Sequence, residues 1–392
     1  MFNLFRVWLI VSSLYYIDTL LSGSFTTDFE EGFTQKFIKY VVCILFSTYF
    51  IFRAKNYVVI IFISALFMVF LTYWVTYGEV NIFATVVLIV ASMIGLMSFF
   101  RVYHDRSRDI SRTIVLSGFI VGVFSMLELT VFSENLIGYW AATGGVRSIS
   151  TLFNPNNLGL YLGVCLLMLA LTGYSKQNLV IMGVPILFGF LMSGSRTAWV
   201  SFFTTFDFLS FTRGSIGALL RRVLFRNFYW LTAFIAIFVI FLPVMLQVLE
   251  LDRILSENRG VDFYTADIRL QNFFAYISSL NFMSLFPDFL DEKVGFIQDN
   301  LYLIVLNSTG IIGLILLIIF FMVAFRRNVY IPRIDATIWG AIIFYYLISG
   351  LSGSFLNSFP NNQLFFLALG AILIPVYLPS RNNEAAVSRQ LK

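Results

Sequence analysis

Four arginines of this chain lie in segments that the distribution of its basic residues does not explain. Of the 26 Lys and Arg residues, 18 fall on one predicted side of a membrane, and the eight on the other side include Arg147, Arg196, Arg259 and Arg269. A guanidinium keeps its charge and can bind phosphate oxygens through two parallel N–H donors. Several such groups at one membrane face would suit a diphosphate attached to a lipid. The alternative is that each arginine reaches the aqueous boundary along its own stem or forms an ordinary ion pair.

A turn-forming cluster, Asn154-Pro155-Asn156-Asn157, follows Arg147 and opens an apolar run. Asn at the N-cap and Pro in the first turn are typical of a helix start, so capping explains the cluster locally. A capped helix start also presents backbone N–H groups to an anion, so capping does not exclude a substrate site. We therefore predict that Asn154 and Asn156 contact a diphosphate or a sugar.

A carboxylate lies at the start of another apolar run. Asp299 and Asn300 precede the run that begins at Leu301, and small residues that would let a second helix approach follow on one face, at Gly310 and Gly313. Asp299 is either an N-cap or a carboxylate that orients or deprotonates a sugar hydroxyl at the membrane–water boundary. Asn300 is predicted to contact the substrate beside it.

The remaining polar candidates are isolated. Glu128 and Asp207 lie within apolar runs, where a carboxylate is either functional or partly hydrated near a helix end. His104 lies in a basic loop, and Cys43 and Cys165 lie inside apolar runs, so a disulfide framework or a metal site is not expected. The sequence has no Gly-rich phosphate loop, and we expect no metal and no cofactor.

The elements that must position these residues are membrane-spanning helices. The chain has 392 residues, of which 59% are hydrophobic and 12% charged, and a soluble protein of this length needs more charge. Runs near the length of about 20 residues that crosses a bilayer predict an all-α bundle of about 12 transmembrane helices. The two runs that meet at 193–196 could instead be one broken helix. The predicted spans are 4–22, 37–52, 57–76, 81–100, 113–132, 155–173, 178–193, 197–211, 228–249, 300–324, 335–353 and 363–379.

The basic residues also predict the orientation, with both termini in the cytoplasm. Residues 250–298 then form the one long loop, on the external side, and its middle, 270–286, is apolar enough for an amphipathic helix at the membrane surface. Long ordered loops are usually functional. We predict a single membrane-embedded domain over 1–392. The sequence has no basic stripe with interleaved aromatic residues, so we do not expect a nucleic-acid partner.

Four stretches together resemble the bacterial O-antigen polymerase and O-antigen ligase superfamily. They are Arg147 with the Phe-Asn-Pro-Asn-Asn-Leu-Gly stretch at 153–159, Ser-Gly-Ser-Arg-Thr-Ala at 193–198, Arg269 with Phe273, and Asp299-Asn300 with the glycines at 310 and 313. The resemblance covers 140–320, and the remainder resembles the family only in hydropathy and helix count. Ligases carry His where this chain has Asp299, whereas polymerases often carry Asp-Asn. The departure therefore favours a polymerase.

The resemblance implies an inverting, metal-independent glycosyltransferase in the bacterial inner membrane, with its active site on the outer face. It would transfer a growing glycan from undecaprenyl diphosphate onto a new lipid-linked repeat unit of an O-antigen, a capsule or another exopolysaccharide. Asp299, Arg196 and Arg269 would be catalytic, and Arg147 and Arg259 would bind the diphosphate. Donor, acceptor and membrane lipid are the expected partners, with a chain-length regulator as a further candidate. The alternatives are an O-antigen ligase and a flippase or transporter for lipid-linked oligosaccharides.

Overall fold

Helices dominate this computed structural model, and no strand occurs among the residues that it describes. The all-α prediction is therefore confirmed for this part of the chain. The residues described are 1–22, 35, 37–54, 95–96, 98–100, 102–103, 106–132, 147–152, 154–211, 271, 274, 278, 300–303, 305–306, 311–312, 314–315, 318–319, 322, 334–351, 353, 355 and 358–373.

The principal helices follow the apolar runs of the sequence. They are α1 (Phe2–Ser13), α2 (Ile17–Ser22), α3 (Cys43–Arg53), α4 (Ser107–Thr130), α5 (Pro155–Leu171), α6 (Lys176–Met192), α7 (Arg196–Phe211), α8 (Ile334–Ser349) and α9 (Asn361–Leu373). A π-helical turn, Phe37–Val42, precedes α3, and a 3-10 turn, Ser150–Leu152, precedes α5. The predicted spans 57–76 and 228–249 lie outside the described residues.

Two of the predicted runs differ from the helices. The run 4–22 is interrupted at 14–16 and forms α1 and α2, and α4 begins at Ser107, within the basic segment before its run. At 193–196 the chain reverses its direction. The evidence is that the ring centroids of Phe190 in α6 and Phe202 in α7 lie only 5.4 Å apart. Twelve residues of one continuous helix would separate them by about 18 Å. The two-helix interpretation of this segment is therefore correct.

One helix among the described residues, α4, is long and apolar enough to cross a membrane, with 24 residues and a mean hydropathy of 1.8 over an 18-residue stretch. Shorter apolar helices of 10–17 residues accompany it, at Phe2–Ser13, Pro155–Leu171, Lys176–Met192 and Ile338–Ser349. Among the described residues, the structure thus gives membrane-length support to a single span.

Helix α5 lies at the centre of the packed helices. It is buried on almost every side, and it contacts α4, α6, α7 and α8. An apolar helix without a polar face must be surrounded by other apolar elements, which explains this central place. A hydrogen bond of 2.5 Å between the hydroxyls of Ser117 and Tyr161 joins α4 to α5 within the core.

The helices have two distinct ends. At the aromatic end, which we define by Phe2, Phe5, Phe50, Phe99 and Tyr103, rings pack against one another with centroids 4.6–6.3 Å apart. The starts of α1, α4 and α8 lie on this side. Arg6 Nε of α1 donates to the Thr113 hydroxyl of α4, and Trp339 Nε1 of α8 donates to the Ser107 hydroxyl.

At the opposite end, which we call the polar end, the C-termini of α1, α4, α6 and α8 meet the N-termini of α5, α7 and α9. Tyr16 N, just beyond α1, donates to Thr151 O, and Ser148 N donates to Met192 O at the end of α6. Tyr346 of α8 donates its hydroxyl to Asn361 at the start of α9. These bonds place residues 147–152 and 154–157, segment 193–196 and the start of α9 at the same end of the helices.

Candidate functional site at the polar end

Segment 147–152 is anchored between α4 and α6 by hydrogen bonds. Ser148 N donates to Met192 O at 2.9 Å, and Thr151 donates its hydroxyl to Ser13 O at 2.7 Å. Ser150 has a left-handed backbone, with φ 47°, and its hydroxyl donates to Val121 O at 2.8 Å. A non-glycine residue in this region costs about 1–3 kcal/mol, so its surroundings must impose the conformation.

Arg147 begins this segment and is held by two uncharged acceptors. Its Nε donates to Ser193 O at 2.9 Å, and its Nη2 donates to Asn156 Oδ1 at 3.1 Å on the exposed side. These two bonds orient the guanidinium. Gly194, with φ +58°, lies directly beneath, since a Cβ there would be 3.1 Å from Arg147 Nε. Glycine at position 194 therefore allows both the left-handed backbone of the turn and the close approach of the Arg147 side chain.

Asn154 caps α5, as one of the two interpretations of its sequence predicted. Its Oδ1 accepts from Asn156 N at 2.8 Å and from Asn157 N at 3.4 Å, with Pro155 in the first turn. The capping interpretation is confirmed. Asn156, in contrast, uses its side chain to hold Arg147, so the two asparagines predicted as substrate contacts have different structural roles.

The reversal at 193–196 brings Arg196 to the same end. Arg196 is exposed and is the first residue of α7, whose first turn is capped by Ser195, with Ser195 Oγ accepting from Ala198 N at 3.4 Å. Helix α5 approaches closely here. A Cβ on Gly159 would lie 2.7 Å from both Ser193 Oγ and Ser195 Cβ. The start of α5 therefore packs directly beneath the segment that presents Arg196.

Asn300 is the N-cap of the helical residues that follow it. Its Oδ1 accepts from Tyr302 N at 2.9 Å and from Leu303 N at 3.1 Å. The capping role that the sequence offered for Asp299 therefore belongs to Asn300. The Asn300 amide also donates to Leu351 O at 3.0 Å, beyond the end of α8.

The segment after α8 connects Asn300 to α7. Leu301 N donates to Gly350 O at 2.9 Å, and a Cβ on Gly353 would lie 4.0 Å from the Thr197 methyl carbon. Asn300 and Arg196 thus lie on neighbouring elements of the polar end. The structure gives no bond between Asn300 and the Arg147 group.

One hydrogen-bonded connection at the polar end, through Asn361, was not predicted from the sequence. Asn361, which is fully buried at the start of α9, donates to Asn157 O at 3.1 Å and accepts from the Tyr346 hydroxyl at 3.0 Å. A signal was present in the sequence, because Pro360-Asn361-Asn362 repeats the triplet Pro-Asn-Asn at 155–157. Both triplets begin apolar helices, and the two helix starts meet at the polar end.

The structure describes two of the remaining candidate residues, Glu128 and Asp207, and they differ in burial. Asp207 is exposed on α7, whereas Glu128 is fully buried and accepts three hydrogen bonds, so partial hydration is the wrong interpretation of Glu128. Outside the described residues lie Arg259, Arg269, Asp299, Gly310 and Gly313. The same holds for His104 and for the loop 250–298 apart from three residues. Those three, Gln271, Phe274 and Ser278, are helical and exposed.

The polar end combines two features that favour an anionic ligand. The guanidinium of Arg147 is oriented beside the start of α5, and backbone N–H groups and the helix dipole also attract negative charge at a helix start. A second arginine, Arg196, begins the adjacent α7. Neither a model of a known protein family nor a curated protein matches this chain.

Proposed function

We propose that the chain is a multi-pass protein of the bacterial inner membrane, with about 12 spans. Both termini would lie in the cytoplasm, and the polar end would face outward. The alternating directions of α4, α5, α6 and α7 support this arrangement, because each agrees with the direction that the predicted topology requires. The basic residues around the start of α4 support it as well, since Arg106, Arg108 and Arg112 lie at the end opposite to Glu128.

The function that the polar end supports best is polymerisation of a lipid-linked polysaccharide. A hydroxyl of the acceptor repeat unit would attack the anomeric carbon of the donor glycan and form the new glycosidic bond. The bond to undecaprenyl diphosphate would break, and the diphosphate would leave with the electron pair. The hydroxyl proton would pass to a carboxylate or to water. Attack from the face opposite the leaving group inverts the anomeric configuration.

The observation that carries the proposal is the orientation of the Arg147 guanidinium beside the start of α5, through its bonds to Ser193 O and Asn156 Oδ1. A preorganised cation stabilises charge as it develops on a leaving diphosphate, without a reorganisation cost during the reaction. Arg196 at the start of α7 would complete the same anion site.

The remaining roles rest on the resemblance and on residues outside the described ranges. Arg269 would act with Arg196 on the leaving group, and Arg259 would assist in binding. Asp299 would orient or deprotonate the acceptor hydroxyl. The loop 250–298 would cover the site and limit hydrolysis of the donor. Asn300 would hold Asp299 near the site through its cap and its bond to Leu351 O.

Purified protein in liposomes with lipid-linked repeat units tests this function. We expect a ladder of glycans that grows by whole repeat units and remains attached to lipid diphosphate. Transfer of the repeat unit to another acceptor, such as a lipid A core, would instead indicate a ligase. Movement of the lipid-linked unit across the bilayer without any new glycosidic bond would indicate a flippase. Either of these results would overturn the proposed polymerase.

A further inference from the structure

Glu128 accepts hydrogen bonds from three consecutive residues of the segment 148–150. It lies near the end of α4 and is fully buried. Its oxygens accept from Ile149 N at 2.9 Å, from Ser150 N at 2.7 Å and from the Ser148 hydroxyl at 2.5 Å. The Ser148 hydroxyl is also 2.5 Å from the Ser125 hydroxyl of α4. One side chain thus satisfies three consecutive residues of an irregular segment.

The conformation of this segment depends on these bonds. Ile149 N and Ser150 N belong to no helix ladder, and a buried N–H without a partner is costly. Among the residues that the structure describes, Ser150 is the non-glycine residue with a positive φ. Its backbone N–H donates to Glu128 and its hydroxyl donates to Val121 O, and both acceptors belong to α4. Helix α4 therefore holds the backbone at 148–150 in a single shape.

Arg147 directly precedes residues 148–150, which α4 holds in place. Its Nε reaches Ser193 O while the next residue donates from Ser148 N to Met192 O. The position of the guanidinium is therefore set by where α4 holds residues 148–150 against the end of α6. Any displacement of these residues moves the origin of the Arg147 side chain relative to Asn156 and Ser193.

We propose that Glu128 is the positioning residue of Arg147. It is buried, so it acts through the segment and does not touch a substrate. The inference rests on the proposed function only where activity is the readout. The positioning itself can be measured on the protein without any substrate.

The principal variant is Glu128→Gln, which keeps the size of the side chain. A carboxamide cannot accept from both backbone donors, because either orientation turns its NH₂ group toward Ile149 N or toward Ser150 N. We expect amide hydrogen exchange of the peptide containing 148–150 to become at least about tenfold faster, as local opening becomes easier. Unchanged exchange would overturn the proposal whether or not the protein polymerises glycans.

The activity readout uses a double-mutant cycle. With lipid-linked repeat units, Glu128→Gln should raise the donor KM by about tenfold, and it should cause no further loss when Arg147→Ala is already present. Losses that multiply in the double variant would show that Glu128 does not act through Arg147. If the wild-type protein makes no polymer, the proposed function fails, and the exchange experiment still decides the positioning.

Two further variants complete the design. Ser117→Ala removes a buried hydroxyl of the same helix that bonds to Tyr161, away from the segment, so exchange at 148–150 and donor KM should stay within about twofold of wild type. Ser148→Ala removes one of the three donors to Glu128 and should give an intermediate effect. It serves as the test if Glu128→Gln does not fold. A change in Ser117→Ala as large as in Glu128→Gln would contradict the proposal.

Discussion

The polar end and the aromatic end are stabilised by different kinds of interaction. At the aromatic end Phe5 is fully buried, and its ring contacts Phe46, Phe50 and Phe99 with centroids 4.6–5.5 Å apart. At the polar end Glu128, Arg147 and the caps of α5 and α7 are joined by directional hydrogen bonds. Ring packing tolerates small shifts and substitutions of similar volume. A buried polar network does not, because one missing partner leaves a group unsatisfied.

This contrast supports the polar end as the place of the proposed reaction. A protein that needed only stability could have packed both ends with apolar side chains, since a polar network gains little over a well-packed apolar one. The polar end instead keeps two arginines and a buried carboxylate at helix termini. We therefore expect substitutions at the polar end to lower activity per molecule, and substitutions at the aromatic end to lower the number of folded molecules.

The largest effect is expected for the arginines of the polar end. Arg147→Ala and Arg196→Ala should each lower polymer formation by at least about 100-fold, which is the usual cost of losing a preorganised charge stabiliser. Lysine should restore little, because an ammonium lacks the bidentate fork. The measurement is polymer formed per unit of membrane-inserted protein. Arg108→Ala, at the other end of α4, is the control and should be mild. Normal polymer in both polar-end variants would remove these arginines from the mechanism.

The second effect concerns Asp299. Because Asn300 already caps the following helix, Asp299→Asn changes the charge with little structural consequence. If the carboxylate serves the acceptor hydroxyl as a general base, activity should fall about 10²–10⁴-fold at unchanged protein level. A purely orienting carboxylate would give a smaller loss. Wild-type activity of this variant in the purified assay would exclude Asp299 from catalysis.

A smaller effect is expected where α5 packs beneath the reversal at 193–196. In Gly159→Ala the new methyl group would press on Ser193 and Ser195, so the two segments must separate at a cost of about 1–3 kcal/mol. We expect a lower unfolding temperature in detergent and a reduced, measurable activity. Gly183→Ala is the matched control, since among the residues that the structure describes its Cβ would meet only Leu169, at 3.4 Å, and alanine favours a helix. Equal behaviour of the two variants would contradict the close packing of α5.

The smallest effect on activity per molecule is expected at the aromatic end. Phe5→Ala removes a fully buried ring and should destabilise the protein by about 3–5 kcal/mol. The folded fraction that remains should keep the proposed polymerase activity, because the described rings that contact Phe5 belong to α1, α3 and Phe99, and not to the polar end. Quantifying inserted protein beside polymer separates the two quantities. A loss of activity per folded molecule comparable to that of Arg147→Ala would erase the distinction between the two ends.

Helices were predictable from the sequence where a long apolar run ended in a clear capping signal. Asn154-Pro155 and the apolar run behind it are sufficient to place the start of α5, and the structure confirms it. The gap at 14–16 between α1 and α2 was not predictable, because Leu14, Tyr15 and Tyr16 continue the apolar pattern. Hydropathy reports burial, and it does not report where hydrogen bonding passes from one helix to the next.

The candidate site was predictable in its residue types and less so in its connections. Arg147, Asn156 and Arg196 were candidates because of charge and spacing, but their relation depends on the reversal at 193–196, which two readings of the sequence left open. Glu128 was an isolated carboxylate in the sequence. Its role depends on a segment about 20 residues further along the chain, and such pairings are set by tertiary packing, not by local pattern.

The most direct test of the account is the side of the membrane on which the polar end lies. Asn156→Cys at the polar end and Asn178→Cys near the start of α6 place exposed thiols at opposite ends, and the native Cys43 and Cys165 are both fully buried. A membrane-impermeant maleimide should label the first variant in intact spheroplasts and the second only after permeabilisation. Labelling of Asn178→Cys from outside, with Asn156→Cys protected, would put the arginines of the polar end in the cytoplasm and contradict the proposed reaction.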